Sequence, residues 1–179
     1  MTIRLLLISD THIPGRARAI PEAVRRAAET ADLIVHAGDW VSVSVLESLE
    51  AWGEVLGVYG NNDGPDVRAR LPEIARREIE GVRFAVVHET GDAKRRHARM
   101  DEEFRDADVV VFGHSHIPWD SVTPGGLRLL NPGSPTDRRR QPVCTMMTAV
   151  VDAGELREVA LLPVQRGPSE SEGSGGGVG

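Results

Sequence analysis

The chain has 179 residues and a mass of 19.4 kDa, which is the size of one domain. Hydrophobic residues make up 40% and charged residues 27%, a composition that excludes bulk disorder and a membrane bundle. The single cysteine excludes a disulfide scaffold and a cysteine-based zinc finger. A formal charge of −6 argues against general binding of nucleic acid through a basic face.

The N-terminal apolar run predicts no export or membrane insertion. It covers only Leu5–Ile8 and is followed at once by Ser9 and Asp10, so it is shorter than the apolar region of a signal peptide. No other run approaches the length of a membrane span. We therefore expect a cytoplasmic protein without a membrane partner.

Apolar runs and helical patterns alternate along the first two-thirds of the chain, which predicts strands buried on both faces and helices between them. The predicted strands are Ile3–Ile8, Asp32–Val35, Val55–Tyr59, Arg83–Val87 and Asp108–Phe112. The predicted helices are Ile20–Thr30, Val43–Ala51 and Lys94–Arg105. The last third predicts consecutive, mostly antiparallel strands at Trp119–Thr123, Leu127–Leu130, Val143–Val151 and Leu156–Leu161.

These elements predict an α/β fold of two packed sheets with helices outside, within one domain at residues 1–163. The composition then changes to the Gly/Ser/Glu-rich stretch GPSESEGSGGGVG at residues 167–179. Such a stretch buries no apolar surface, so we expect a flexible tail.

Each of the five predicted strands in the first part is followed by polar side chains that can bind a metal ion. The set is Asp10, His12, Asp39, Asn61, His88, His114 and His116. Its first members are 29, 22, 27 and 26 residues apart, which is about one β-α repeat each. Parallel strands of one sheet end at the same edge, so these side chains are expected to converge there. Gly38, Gly60 and Gly113 adjoin them and permit close backbone approach.

Seven ligands are too many for one ion and suit two divalent cations about 3.5–4 Å apart. Asp39 is the natural bridging carboxylate, because Asp10 has His12 two residues away to complete a separate shell. The mixed nitrogen and oxygen donors favour Mn²⁺, Fe, Zn²⁺ or Co²⁺ over Ca²⁺.

Motifs in this order resemble the calcineurin-like metallophosphoesterase superfamily. They are S-D-T-H (9–12), G-D (38–39), G-N-x-D (60–63), a lone His88, G-H-S-H (113–116) and N-P-G-S (131–134). The likeness is strongest to the small single-domain prokaryotic phosphodiesterases, whose fold is shared by the retromer's phosphoesterase-like subunit. It spans about residues 3–162 and implies a four-layer α/β/β/α sandwich.

The resemblance also implies a site and a reaction. One metal belongs to Asp10, His12, Asp39 and His116, and the second to Asp39, Asn61, His88 and His114. Mn²⁺ is the preferred ion, with Fe, Zn²⁺, Co²⁺ or Ni²⁺ as other candidates. A hydroxide held between the metals attacks phosphorus in line, and Asp39, Asn61 and His114 are the expected catalytic residues. The expected partner is a small phosphoester substrate.

Two positions depart from the family pattern. Family phosphatases of the Gly-Asn-His-Glu/Asp type carry a histidine after the asparagine, near the leaving group, whereas this chain has Asn62, which cannot act as a general acid. Many relatives have His-Gly-His where this chain has His88-Glu89-Thr90. The first change favours phosphodiesters and good leaving groups, and the second alters the surroundings of the second metal.

Some residues near the motifs have a structural interpretation as well as a functional one. His36 is interpreted as a core residue or a hydrogen-bonding neighbour of the site. Asp63 either orients a ligand or forms a turn, and Asn131, Gly133 and Ser134 either close a turn or contact substrate. The run Arg138-Arg139-Arg140 is interpreted as a solvated face.

Two other functions stay open at this point. The same fold can serve as a non-catalytic interaction scaffold, which is free to lose ligands, although here all seven positions are filled. A nuclease shares the mechanism but needs a basic groove, which the overall charge does not favour. The sequence also leaves open whether the protein forms a homo-oligomer.

Overall fold

The computed structural model describes residues 1–165, and the predicted tail at residues 167–179 lies outside them. The strands are β1 (Ile3–Ile8), β2 (Leu33–His36), β3 (Val55–Gly57), β4 (Ile74–Ile79), β5 (Val82–Val87), β6 (Val109–Val111), β7 (Trp119–Val122), β8 (Arg128–Asn131), β9 (Cys144–Asp152) and β10 (Glu155–Val164). The helices are α1 (Glu22–Thr30), α2 (Val43–Trp52), α3 (Pro65–Arg68) and α4 (Arg96–Glu103).

The strands form two mixed sheets of five. The first sheet has the order β10-β9-β1-β2-β3, in which β1, β2 and β3 are parallel and β9 is antiparallel to β1. The second has the order β4-β5-β6-β8-β7, in which β5, β6 and β8 are parallel between antiparallel edge strands. The predicted pair of mixed sheets is confirmed.

Three apolar clusters show how the layers pack. The cluster between the sheets contains Leu7 and Val35 of the first sheet together with Phe84 and Val111 of the second. A second cluster joins the outer face of the first sheet to α1 and α2, and a third joins the second sheet to α4. The alternate side chains of a strand point to opposite faces, so each central strand is buried on both sides. This gives the four-layer α/β/β/α order.

The sequence analysis did not predict two of the elements, β4 and α3. The strand β4 has the sequence IARREI, and its three central residues Arg76, Arg77 and Glu78 are exposed, so it lacks the apolar run of a buried strand. It forms an edge of the second sheet by antiparallel pairing with β5. The helix α3 has four residues, too few to display a helical period.

The strand ends also converge differently from the prediction. The five predicted strands do not share one sheet, since β1, β2 and β3 lie in the first sheet and β5 and β6 in the second. The two sheets bring their carboxyl ends to the same edge of the sandwich, as two hydrogen bonds between the sheets show: His114 N–H donates to the Asp10 carboxylate at 3.0 Å, and Nδ1 of His88 donates to the carbonyl oxygen of Ala37 at 2.7 Å. Likewise β8 pairs in parallel with β6, so the last third is divided between the sheets. Among residues 1–165, no helix has the length and apolarity to span a bilayer.

Candidate metal centre

The first group of converging side chains consists of Asp10, His12 and His116. Their ligand atoms lie within 4.8 Å of one another. The Nε2 atoms of His12 and His116 are 3.2 Å apart, and Oδ1 of Asp10 is 3.3 Å from Nε2 of His116. Two imidazole nitrogens and one carboxylate, all buried or nearly so, form a donor set that suits a divalent transition metal.

The second group consists of Asn61, His88 and His114. Oδ1 of Asn61 lies 2.9 Å from Nε2 of His88 and 3.0 Å from Nδ1 of His114. Three potential metal-ligand atoms from three separate loops therefore lie close to one another. This group is more open, because Asn61 and the edge of His114 reach solvent.

The carboxylate of Asp39 lies between the two groups. Its Oδ2 is 3.5 Å from Nε2 of His12 and 3.4 Å from Nε2 of His88. Asp10 also comes within reach of the second group, since its ligand atom, that of Asp39 and that of His88 lie within 4.8 Å of one another. The structure thus brings all seven predicted side chains together, with one carboxylate shared between two sets of donors.

Backbone carbonyls fix the orientation of two of the histidines. Nδ1 of His88 donates to the carbonyl oxygen of Ala37 at 2.7 Å, and Nδ1 of His116 donates to that of Asp137 at 2.8 Å. A histidine that carries its proton on Nδ1 leaves the Nε2 lone pair free for a metal ion. Both lone pairs consequently face the centre. The carbonyls were not predictable, because any residue type can supply one.

Several site residues adopt a backbone conformation that side chains rarely take. The φ angles are positive at Asp10 (56°), His12 (44°), Asp39 (60°), His114 (68°) and His116 (58°). Such angles are uncommon in residues other than glycine and cluster at functional sites, where surrounding contacts hold them.

Asp63 supplies such contacts under Asp39. Its carboxylate accepts hydrogen bonds from the backbone N–H groups of Asp39 at 3.0 Å, Val41 at 2.7 Å and Gly60 at 2.7 Å. Burial raises the pKa of Asp63 above its ordinary value, although the backbone hydrogen bonds act in the opposite direction. Asp63 therefore holds the loop of Asp39, and its backbone N–H also closes a turn by donating to the carbonyl of Gly60 at 3.3 Å, so both sequence interpretations hold.

The N-P-G-S loop supports the other side of the centre. Ser134 Oγ donates to the carbonyl of Asp10 at 2.7 Å, and Asn131 Nδ2 donates to that of Gly113 at 2.9 Å. Both side chains are buried and bind backbone. Their role in this structure is to hold the loops of the site in place.

Asn62 binds the shared carboxylate. Its backbone N–H donates to Oδ1 of Asp39 at 2.9 Å, and its Nδ2 donates to Oδ2 at 2.7 Å. The sequence showed only that a histidine is missing here. The structure adds that the asparagine fixes Asp39 with two hydrogen bonds.

The glycines beside the ligands are required by close contacts. A Cβ on Gly113 would lie 2.7 Å from Oδ2 of Asp10 and would collide with Ser9. A Cβ on Gly60 would lie 2.9 Å from Cγ of Asp39. Any side chain at either position would displace a carboxylate of the site.

The electrostatics keep both carboxylates ionised. Burial opposes the charge on Asp10, but its interactions with the imidazoles of His116 and His12 outweigh burial and hold the pKa of that carboxyl well below its usual range. Burial likewise opposes the charge on Asp39, and the nearby His88 imidazole and the hydrogen bonds from Asn62 lower its pKa to about 2. The two charged carboxylates create a negative potential that attracts cations.

A cavity of about 260 Å³ opens beside the second group. Its lining includes Asn61, His88, Tyr59, Arg68, Glu73 and Glu89. The guanidinium of Arg68 lies 4.4 Å from the ring centre of Tyr59. A substrate group can therefore sit next to the second group of donors.

The model of the calcineurin-like phosphoesterase superfamily domain matches residues 3–154. The chain belongs to this superfamily. Membership places it among metal-dependent phosphoesterases, and the family assignment made from the motifs is confirmed.

Several known proteins resemble the chain over most of its length. A probable metallophosphoesterase from Methanothermobacter thermautotrophicus is 40% identical over 135 residues, covering 73% of this chain and 76% of the relative. A phosphodiesterase from Methanocaldococcus jannaschii is 26% identical over 64% of this chain and 74% of its own. The crystal structure of Vps29 with zinc from Entamoeba histolytica has a TM-score of 0.72 at 23% identity, covering 90% of this chain and 98% of the other. That likeness confirms the fold.

Proposed function

We propose that this superfamily member hydrolyses phosphodiesters with two divalent cations. The observation that carries the proposal is the position of Asp39, whose Oδ2 lies 3.5 Å from the nearest nitrogen of the first group and 3.4 Å from that of the second. A carboxylate shared in this way is what a two-metal site requires.

The first cation is assigned to Asp10, His12, Asp39 and His116, and the second to Asp39, Asn61, His88 and His114. The fit is supported by the free lone pairs on Nε2 of His88 and His116 and by the ionised state of both carboxylates. Mn²⁺ is the preferred ion, and Fe, Zn²⁺, Co²⁺ or Ni²⁺ also suit imidazole and carboxylate donors.

When bound, two such ions supply a nucleophile derived from water at neutral pH and neutralise charge on phosphoryl oxygens. The residues of the chain contribute geometry to this reaction. Asp39, held by Asn62 and Asp63, fixes the spacing of the two donor groups. Asn61 and His114, at the more open side, lie where a phosphoryl group enters from the cavity.

The preference for diesters rests on the leaving group. The amide of Asn62 donates to Asp39 at 2.7 Å and cannot give up a proton to a leaving alkoxide. A substrate whose leaving group departs without protonation is therefore favoured, such as an activated ester. The relative named as a phosphodiesterase is consistent with this preference.

The experiment compares bis(p-nitrophenyl) phosphate with p-nitrophenyl phosphate. The protein is stripped with a chelator and then resupplied with Mn²⁺, Zn²⁺, Co²⁺ or Ni²⁺ separately. We expect metal-dependent turnover with the diester preferred, and a loss of about 10³-fold in kcat/KM for Asp39→Asn, whose carboxamide cannot carry the shared charge.

The control and the contrary results are distinct. Asp66→Asn, an exposed change on α3, should leave turnover unaltered. Equal or higher activity on the monoester would overturn the diester preference. Turnover of neither ester with any metal would overturn the enzymatic proposal and would favour the interaction scaffold.

A further inference from the structure

The basic residues of this acidic protein differ in how they are neutralised. In the described part of the chain, ten of them pair with carboxylates, for example Arg83 with Asp108 at 2.6 Å, Arg128 with Asp120 at 2.9 Å and Arg76 with Asp106 at 3.0 Å. Within residues 1–165, scattered arginines such as Arg18 and Arg105 form no ion pair. Six further basic residues without an ion pair there are clustered on two segments beside the candidate metal centre. We name them the basic rim: Lys94, Arg95, Arg96, Arg138, Arg139 and Arg140.

The first segment of the rim, residues 137–140, contacts both histidines of the G-H-S-H motif. The carbonyl of Asp137 accepts from Nδ1 of His116 at 2.8 Å. Nη1 of Arg139 donates to the carbonyl oxygen of His114 at 3.3 Å. The acidic residue of this segment, Asp137, pairs with Arg16 at 3.2 Å and forms no ion pair with the three arginines.

The second segment, residues 89–96, starts directly after His88. Glu89 approaches Nε2 of His114 to 3.8 Å. Arg99 holds the loop in place by donating to the carbonyl oxygens of Thr90 and Asp92, both at 2.6 Å. The side chains of Lys94 and Arg95 are consequently presented on a fixed backbone and are exposed.

Arg96 belongs to the same side of the centre. Its guanidinium lies 5.2 Å from the ring centre of Phe112 and 5.2 Å from that of Trp119, the two aromatic residues that flank the G-H-S-H loop. Its Nε is buried without a hydrogen-bond partner among the described residues. A cation fixed between aromatic rings is oriented and only partly hydrated, which favours contact with an anion.

We infer that the basic rim binds a second phosphate group of the substrate, so that the substrate is a small phosphodiester that carries at least one further phosphate. This inference rests on the proposed function. The scissile phosphate lies at the metal centre and leaves the rim without a partner. The cavity is less suitable for a second anion, because two carboxylates, those of Glu73 and Glu89, line it. The guanidinium of Arg68, which also lines it, already donates to two backbone carbonyls. Exposed guanidinium groups pair well with phosphate oxygens.

Two diesters with the same leaving group test the inference. They are the p-nitrophenyl ester of thymidine 5′-phosphate and the same ester with an additional 3′-phosphate. With Mn²⁺-loaded protein, we expect kcat/KM to be about tenfold higher for the 3′-phosphorylated ester, the scale of one charge-assisted contact to phosphate. The ratio should fall as salt rises from 50 to 500 mM, since salt screens exposed charges.

Two double variants separate the rim from the catalytic geometry. Lys94→Gln with Arg95→Gln, and Arg138→Gln with Arg140→Gln, avoid Arg139, which contacts His114. In at least one of these double variants, the ratio of kcat/KM for the 3′-phosphorylated ester to kcat/KM for the other ester should fall close to one. Arg105→Gln is the matched control, because Arg105 follows the opposite end of α4 and forms no ion pair in the described part of the chain. It should leave the ratio unchanged.

The contrary results are separable. A wild-type protein that hydrolyses both esters with a ratio of about one would overturn the inference and leave the proposed function standing. A ratio that neither double variant lowers would also overturn it. Hydrolysis of neither ester with any cation would overturn the proposed function, and the inference with it.

Discussion

The two groups of candidate ligands differ in their access to solvent. The side chains of Asp10 and His116 in the first group have 0% of their surface exposed, whereas 42% of the His114 side chain in the second is exposed. Closed donor sets hold a metal ion firmly, and catalytic sites keep an open position for substrate. The comparison suggests two unequal halves, one that retains its cation and one that meets the substrate.

The supports of the two groups differ as well. Behind the first group, Ser134 and Thr136 donate from buried hydroxyls to the backbone at Asp10 and Thr11. Behind the second, Arg68 holds the Asn61 loop by donating to the carbonyl of Asp63 at 2.7 Å and that of Gly60 at 3.0 Å. A buried set of contacts opens less often than one at the surface, so we expect the second group to be the more adaptable half.

The largest effect is expected from removing one histidine from each half. His114→Ala and His116→Ala should each lower metal-dependent kcat/KM by about 10²–10³-fold, since each removes a ligand. They should differ in metal content, because His114→Ala leaves the buried group complete. Metal analysis after gel filtration should find one tightly held ion in His114→Ala and none in His116→Ala. Equal metal content in the two variants would contradict the inequality of the halves.

Stepwise removal of metal should separate the halves in the unaltered protein. A weak chelator is expected to take the ion of the open half first, with activity lost before thermal stability falls. Loss of the buried ion should then lower stability by roughly 3 kcal/mol if it was present at about 100 times its dissociation constant. Parallel measurements of turnover and melting temperature against chelator concentration test this order. A single coincident transition would show that the halves bind with equal strength.

A smaller effect is expected from the residue that orients the shared carboxylate. Asn62→Ala removes the 2.7 Å hydrogen bond to Asp39 but no candidate ligand. We expect kcat/KM to fall about 10–100-fold, the usual cost of losing a partner of a metal ligand, and metal affinity to fall with it. Asn62→Leu, which removes the amide donor without adding a charge beside Asp39, should resemble Asn62→Ala. Wild-type kinetics in Asn62→Ala would show that Asp39 needs no such support.

The smallest effect concerns stability and pH. His36 is fully buried, accepts from the N–H of Gly38 at 3.1 Å and lies against Trp40 with ring centres 3.5 Å apart. Burial lowers its pKa from 6.5 to about 3, so the ring is neutral in the folded protein over this range. In the unfolded chain the same ring takes up a proton below about pH 6.5. Its contribution to stability is therefore complete above pH 6.5 and is lost as the pH falls toward 3.

Replacing His36 with phenylalanine, whose ring does not titrate, isolates the contribution of His36 to the pH dependence of stability. Urea unfolding of metal-free protein at pH 7 and pH 4.5 should show a loss for the wild type that exceeds the loss for His36→Phe by roughly 3 kcal/mol. The variant itself is expected to be less stable at pH 7, because it loses the hydrogen bond from Gly38 N–H and the one between Nε2 and Thr11 Oγ1 at 3.1 Å. An equal loss of unfolding free energy between pH 7 and pH 4.5 in the two proteins would mean that His36 is not held neutral.

Much of the fold could be predicted because its signals are local. Continuous apolar runs such as Ile3–Ile8 are found as central strands, and the glycines and polar residues after them mark where the strands end. The strand β4 was missed because only one of its faces is apolar and its neighbour β5 determines its place. The assignment of strands to two sheets was also missed, since hydrogen-bond pairing joins residues far apart in the chain.

The candidate site divides in the same way. The sequence by itself determined the types of all seven candidate ligands and their spacing, because D-x-H and G-H-x-H are short local patterns. Only the tertiary structure decided which side chains are neighbours, for example that the carboxylate of Asp39 lies between His12 and His88. It alone placed the carbonyl of Asp137 behind His116 and left the basic rim without an ion pair to any carboxylate within residues 1–165. Those relations depend on distances between loops from different sheets, which packing sets and no local pattern encodes.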